Sequence, residues 1–90
     1  MVNPYTEHKL ADGRILRIFN KDVLTEELVW HRDHLTRKIT VVEGDDWLFQ
    51  LDNQLPTEMR VGDVFTIPAN TYHRVKRGTT DLTIYIEELL

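Results

Sequence analysis

Gly62-Asp63-Val64-Phe65-Thr66-Ile67-Pro68-Ala69-Asn70-Thr71-Tyr72-His73 is the stretch on which the fold turns. Val64–Ile67 is built of β-branched and aromatic residues, which suit a pleated, half-buried strand. Gly62-Asp63 supplies turn chemistry before it and Pro68-Ala69-Asn70 supplies it after. Proline has no N–H for a sheet ladder, so the strand must end at Ile67. A second run, Tyr72–Arg77, then begins around His73 and is closed by Gly78.

The same unit, a short β-type run bounded by turn residues, recurs along the chain. Arg14–Phe19 follows Asp12-Gly13, Arg37–Val42 ends at Glu43-Gly44, and Asp46–Leu51 ends at Asp52-Asn53. Glu58–Val61 ends at Gly62-Asp63, and Leu82–Glu87 closes the series. Turn signals roughly every 8–12 residues predict an all-β, mostly antiparallel sandwich or barrel. Leu24–Asp33 alternates only loosely and is read as a strand. A short helix over Asp22–Leu28, capped by Asp22, is the alternative there.

The chain has 90 residues, which suits a single domain over 1–90 with one core. Its 41% hydrophobic and 29% charged residues are a globular balance and not a disordered one. Eleven Lys+Arg against fifteen Asp+Glu give a net charge of −4, which argues against a nucleic-acid partner. No apolar run reaches the roughly 18–20 residues that span a bilayer, so no membrane partner is expected. Met1–Leu10 has no apolar segment of signal-peptide type. With no cysteine, thiolate metal sites, disulfides and cysteine nucleophiles are excluded, and a cytoplasmic location is expected. Serine is absent too, and Gly62-Asp63-Val64 leads into a strand and not a helix. A serine nucleophile and a nucleotide cofactor are therefore not expected.

Strand parity then selects candidate site residues. Alternate residues of a strand share a face, so His31 and Asp33 lie on one side, Arg37 goes with Ile39 and Val41, and His73 goes with Val75 and Arg77. If those faces point inward, imidazoles, a carboxylate and guanidinium groups sit among apolar neighbours. Burying them is costly unless they are paired or bound to something.

Residues 62–73 resemble the second signature of the cupin family, G-x5-P-x-G-x2-H-x3-N. Gly62, Pro68 and His73 are matched, Asn70 stands at the second Gly and Arg77 at the final Asn. Asn tolerates φ > 0 better than most residues, so it can replace Gly in a turn. The first signature, G-x5-H-x-H-x3/4-E-x6-G, is degraded. Its closing Gly fits Gly44; counting back places Arg37 at the Glu, Asp33 at the second His, His31 at the first His and Thr25 at the opening Gly. The resemblance covers roughly residues 14–88 and implies a small double-stranded β-helix, or jelly-roll barrel, of RmlC-like type. It also implies a homodimer and, in many members, one divalent metal inside the barrel.

On this reading His31, Asp33 and His73 are the candidate metal ligands. Two imidazoles and a carboxylate suit Fe, Mn, Ni, Co or Zn. A bulge after Asp33 would bring in His34 instead. Arg37 and Arg77 are the candidate binding residues for a small anionic ligand, because a guanidinium recognises carboxylates and phosphates bidentately. No residue is singled out as catalytic, and the expected chemistry spans oxygenase, isomerase and lyase types. Arg37 also motivates the opposite reading, a metal-free cupin that binds a small anion, senses, or acts as a dimeric scaffold. Asp33 would then pair with Arg37. Two unit charges about 5 Å apart interact by about 3 kcal/mol at an effective dielectric of about 20, so a cation beside Arg37 is opposed unless Asp33 ligates it and Arg37 turns aside.

Overall fold

The structure is a computed structural model that describes residues 4–90; the first three residues of the Met1–Leu10 stretch lie outside the described part. Its eight strands are β1 (Tyr5–Lys9), β2 (Ile15–Phe19), β3 (Thr36–Glu43), β4 (Leu48–Leu51), β5 (Thr57–Glu58), β6 (Val64–Ile67), β7 (His73–Lys76) and β8 (Leu82–Leu89). All strand pairs are antiparallel. They form a five-stranded sheet of order β1-β2-β8-β3-β6 and a three-stranded sheet of order β5-β4-β7. The two sheets enclose the core in the jelly-roll manner, as expected from the turn spacing.

Alternation explains which side chains meet. Ile39 and Val41 of β3, Phe49 of β4, Ile67 of β6 and Leu82, Ile84 and Ile86 of β8 are buried together with Trp47 and Met59. Trp47 is completely enclosed, and its indole Nε1 donates to the Thr80 carbonyl at 2.6 Å. A buried indole needs such an acceptor. The strand-end Gly78 is packed so closely on this corner that an added Cβ would lie 2.1 Å from the Asp45 carbonyl oxygen.

Two readings of the sequence are corrected. Leu24–Asp33 is not a strand. It contains a single 3₁₀ turn, Thr25–Glu27, whose leading residue Leu24 makes no side-chain cap. Val23 and Leu28 are buried while Leu24 and Glu26 are exposed, which fits neither alternation nor a full helix. The Asp22 cap of the helical alternative is absent as well. Glu58–Val61 is also shorter than expected: only Thr57–Glu58 pairs, with Leu48 and Phe49 as partners. β1 extends the sheet beyond the expected core boundary at residue 14. Its Thr6–Lys9 segment is exposed and polar, so it carries no hydrophobic alternation to reveal it. Among the described residues no helix is long and apolar enough to cross a membrane.

Candidate metal centre

The irregular segment after Leu28 returns to the barrel wall at one residue. His31 and His73 exchange both backbone hydrogen bonds, N to O at 3.0 and 2.9 Å, as an isolated antiparallel bridge. Two residues on, the Asp33 carbonyl accepts from the Asn70 N–H at 2.7 Å. The Ala69 N–H donates to Thr36 Oγ1 at 3.1 Å. The Pro68-Ala69-Asn70 turn therefore anchors the segment that carries His31 and Asp33. Asn70 has φ of 61°, the left-handed conformation that the Gly-to-Asn replacement required.

These backbone contacts bring three donors together. One ligand atom from each of His31, Asp33 and His73 lies within 4.8 Å of the other two. His73 Nε2 is 3.4 Å from Asp33 Oδ2. The two imidazole rings meet edge-on with centroids 4.2 Å apart. Each ring also has its Nδ1 against a carbonyl oxygen, Thr71 at 2.9 Å for His73 and Val29 at 3.3 Å for His31. A carbonyl only accepts, so Nδ1 carries a hydrogen, and in the neutral ring the lone pair is on Nε2. That is the tautomer a metal ligand needs, fixed by a backbone partner in the usual way.

Electrostatics prepare His73 for the same role. Burial pushes its pKa below the ordinary imidazole value; the Thr71 carbonyl contact opposes this, His31 and Arg37 add to it, and Asp33 again opposes. A neutral imidazole can ligate without first losing a proton.

Arg37 divides the Asp33 carboxylate. Its guanidinium lies 3.6 Å from Asp33 Oδ1 and 3.2 Å from Glu88 Oε2. Glu88 stands directly opposite Arg37 in the β3–β8 register, so the two side chains are cross-strand neighbours. Asp33 Oδ2 is left enclosed with no hydrogen-bond partner, and so is Arg37 Nε. An orphaned carboxylate oxygen costs upward of about 1–3 kcal/mol, and a cation between it and the imidazoles would remove that cost. The donor set thus fits a divalent metal.

Of the other sequence candidates, Arg77 does not join the group. It is exposed, and its Nη1 donates to the Val23 carbonyl at 2.9 Å. His34 is also exposed and stands outside the cluster. Glu88, exposed near the end of β8, is the partner of Arg37 that local sequence does not reveal. The other residue missed is Arg17. It is buried, pairs with Glu7 through Nε at 2.8 Å and through Nη2, and stacks over Tyr5 at 3.9 Å. Ile15–Phe19 has apolar residues on both parities, so alternation alone could not place Arg17 inside.

A cavity of about 260 Å³ occupies the barrel interior beside the cluster. His31, His73, Arg37, Arg17, Arg74 and Glu27 reach it, and its walls are otherwise mainly apolar, with Ile39, Phe49, Val75, Ile84 and Ile86 among them.

Comparison with solved structures places this architecture. A cupin domain from Bordetella pertussis superposes with a TM-score of 0.67 at 16% identity, over 100% of this chain and 99% of that one. The chain has a cupin-like fold. A DUF1255 protein of unknown function from Acidithiobacillus ferrooxidans matches with a TM-score of 0.70 at 20% identity, over 92% of this chain and 74% of that one. Fe(II)-HppE, solved with the alternative substrate (S)-1-HPP, matches with a TM-score of 0.66 at 12% identity, over 99% of this chain and 58% of that one. No protein-family model and no curated protein matches the chain.

Proposed function

We propose that this cupin-like barrel binds one divalent metal through His31, Asp33 and His73, together with a small anionic organic ligand in the adjoining cavity. The observation that carries the reading is the orphaned Asp33 Oδ2, enclosed within reach of two imidazoles whose Nδ1 atoms are already committed to carbonyls. The likeness to an Fe(II) protein adds support at the level of fold. Bound there, a divalent ion would supply Lewis-acid or redox chemistry. The chain's own contribution is to hold two imidazoles and one carboxylate at the wall, and to present Arg37 to an anion in a largely apolar chamber.

The metal-free reading rests on a specific contact too, the Arg37–Asp33 approach. At 3.6 Å it is longer than a charge-assisted hydrogen bond of about 2.7–2.9 Å, and Arg37 already has Glu88. A guanidinium already paired with Glu88 through Nη2 leaves Asp33 available, which favours the metal reading.

Chelator-stripped protein titrated with Mn²⁺, with Zn²⁺ and, under anaerobic conditions, with Fe²⁺ tests the proposal. One equivalent should bind the parent chain, and His73→Ala should weaken it by about 100-fold or more. Uptake that stays below about a tenth of an equivalent for every metal would end it.

A further inference from the structure

Charge and shape in the cavity go further than metal binding and name a ligand class. Arg17 is matched by Glu7 and Arg37 by Glu88, and the two other charged wall residues, Arg74 and Glu27, are of opposite sign and cancel. A divalent ion held by Asp33 alone among carboxylates exceeds it by one positive charge. The chamber therefore has one charge to balance, on the proposal above that a metal sits at the triad. Arg37 Nε is enclosed with no acceptor, while the guanidinium's other contacts are to Asp33 and Glu88. Such a buried donor is costly to leave unmade. A ligand that supplies one carboxylate balances the charge, and Arg37, which lines the cavity, offers it an acceptor-seeking guanidinium once the side chain turns toward it. A phosphate-type dianion would exceed the available charge.

Size and polarity set the remainder of the molecule. The cavity of about 260 Å³ has room for about nine non-hydrogen atoms if each takes the ~30 Å³ of a liquid water. Ile39, Phe49, Val75, Ile84 and Ile86 offer no side-chain hydrogen bonds to hydroxyl-rich compounds such as sugars. A polar body would lose its water without compensation there.

We propose that the barrel interior takes a small monocarboxylate with a compact hydrocarbon body, its carboxylate on Arg37 and its body against Phe49, Val75 and Ile84. Cyclohexanecarboxylate, cyclohexanecarboxamide and inorganic phosphate are suitable probes, titrated by calorimetry into metal-loaded protein. The acid should bind at least about tenfold more tightly than the amide or phosphate, which corresponds to about 1.4 kcal/mol. Arg37→Met should erase the preference for acid over amide. Val75→Phe should exclude the acid by filling the chamber, while its metal titration stays unchanged. Should Arg37→Met not fold, the comparison of probes on the parent chain decides the matter. An amide that binds as tightly as the acid, a preference for phosphate, or no acid binding at millimolar concentration to metal-loaded protein would overturn the proposal and leave the metal centre standing. A chain that takes up no metal fails the metal reading; the same probes are then run on the metal-free protein. Acid preference there sustains the carboxylate pocket, and its absence overturns it.

Discussion

Asp33→Asn separates a ligand from a structural ion pair, because the two roles predict opposite outcomes. In the metal-free protein Asp33 faces Arg37 at 3.6 Å, with both side chains under 20% exposed. Their gross attraction is about 4–5 kcal/mol at an effective dielectric of about 20. Most of it is offset by the cost of removing both charges from water. Arg37 also retains Glu88 at 3.2 Å when Asp33 is neutralised, so no bare buried cation is left behind. The substitution should therefore cost the metal-free chain no more than about 1 kcal/mol, in contrast to the ~3–5 kcal/mol of a pair whose surviving partner is stranded. Metal changes the picture. An ion at 100 times its dissociation constant stabilises the parent by about 2.7 kcal/mol. For a domain of this size that is a rise in Tm of about 11–22 °C. Asp33→Asn should lose nearly all of that rise. Urea and thermal denaturation of both chains, with and without Mn²⁺, give the four values needed. A metal-free variant destabilised by 3–5 kcal/mol, beside a parent that gains nothing from metal, would refute this reasoning and establish the Asp33–Arg37 pair as structural.

Three further outcomes follow from particular residues. His73 is held below its unfolded value of about 6.5, so the unfolded chain takes up this proton first as pH falls. Its contribution to stability should be complete above about pH 6.5 and decline as pH drops from there towards the depressed folded value, read by urea denaturation between about pH 8 and 5; metal affinity should fall over the same range, and stability rising on acidification through it would contradict the assignment. Asn70 sits at φ 61°, so Asn70→Val should cost about 1–2 kcal/mol while Asn70→Gly stays within about 0.5 kcal/mol of the parent, as chemical denaturation would show. Gly78→Ala should destabilise by about 3 kcal/mol or more, because the new Cβ meets the Asp45 backbone and the enclosed Trp47, which have no room to yield; a folded variant of parental Tm would count against that packing.

The legible part of this chain is where turn chemistry and alternation agree. Val64–Ile67 is bounded by Gly62-Asp63 and Pro68, and it is a strand with those bounds. Arg37, Ile39 and Val41 lie on one face of β3, as parity requires, with Arg37 at the cavity and the other two in the core. The segment from Leu24 to Asp33 was not legible, because its path is set by tertiary contacts: a 3₁₀ turn, then one backbone exchange between His31 and His73. Parity still held for His31 and Asp33, since the chain is locally extended where it meets β7. Arg77 is exposed because it stands just past the last β7 residue, Lys76, where alternation no longer constrains a side chain. Glu88 and Arg17 were missed for a different reason. Their roles depend on cross-strand register, Arg37 opposite Glu88 and Glu7 opposite Arg17, and register over such distances is not written in local sequence.

Anomalous diffraction from crystals of the Mn²⁺-loaded protein tests the central claim most directly. A single strong peak within bonding distance of His31 Nε2, His73 Nε2 and an Asp33 carboxylate oxygen is the expected result. A fully supplied crystal with no peak there, and Asp33 closed onto Arg37, would contradict it.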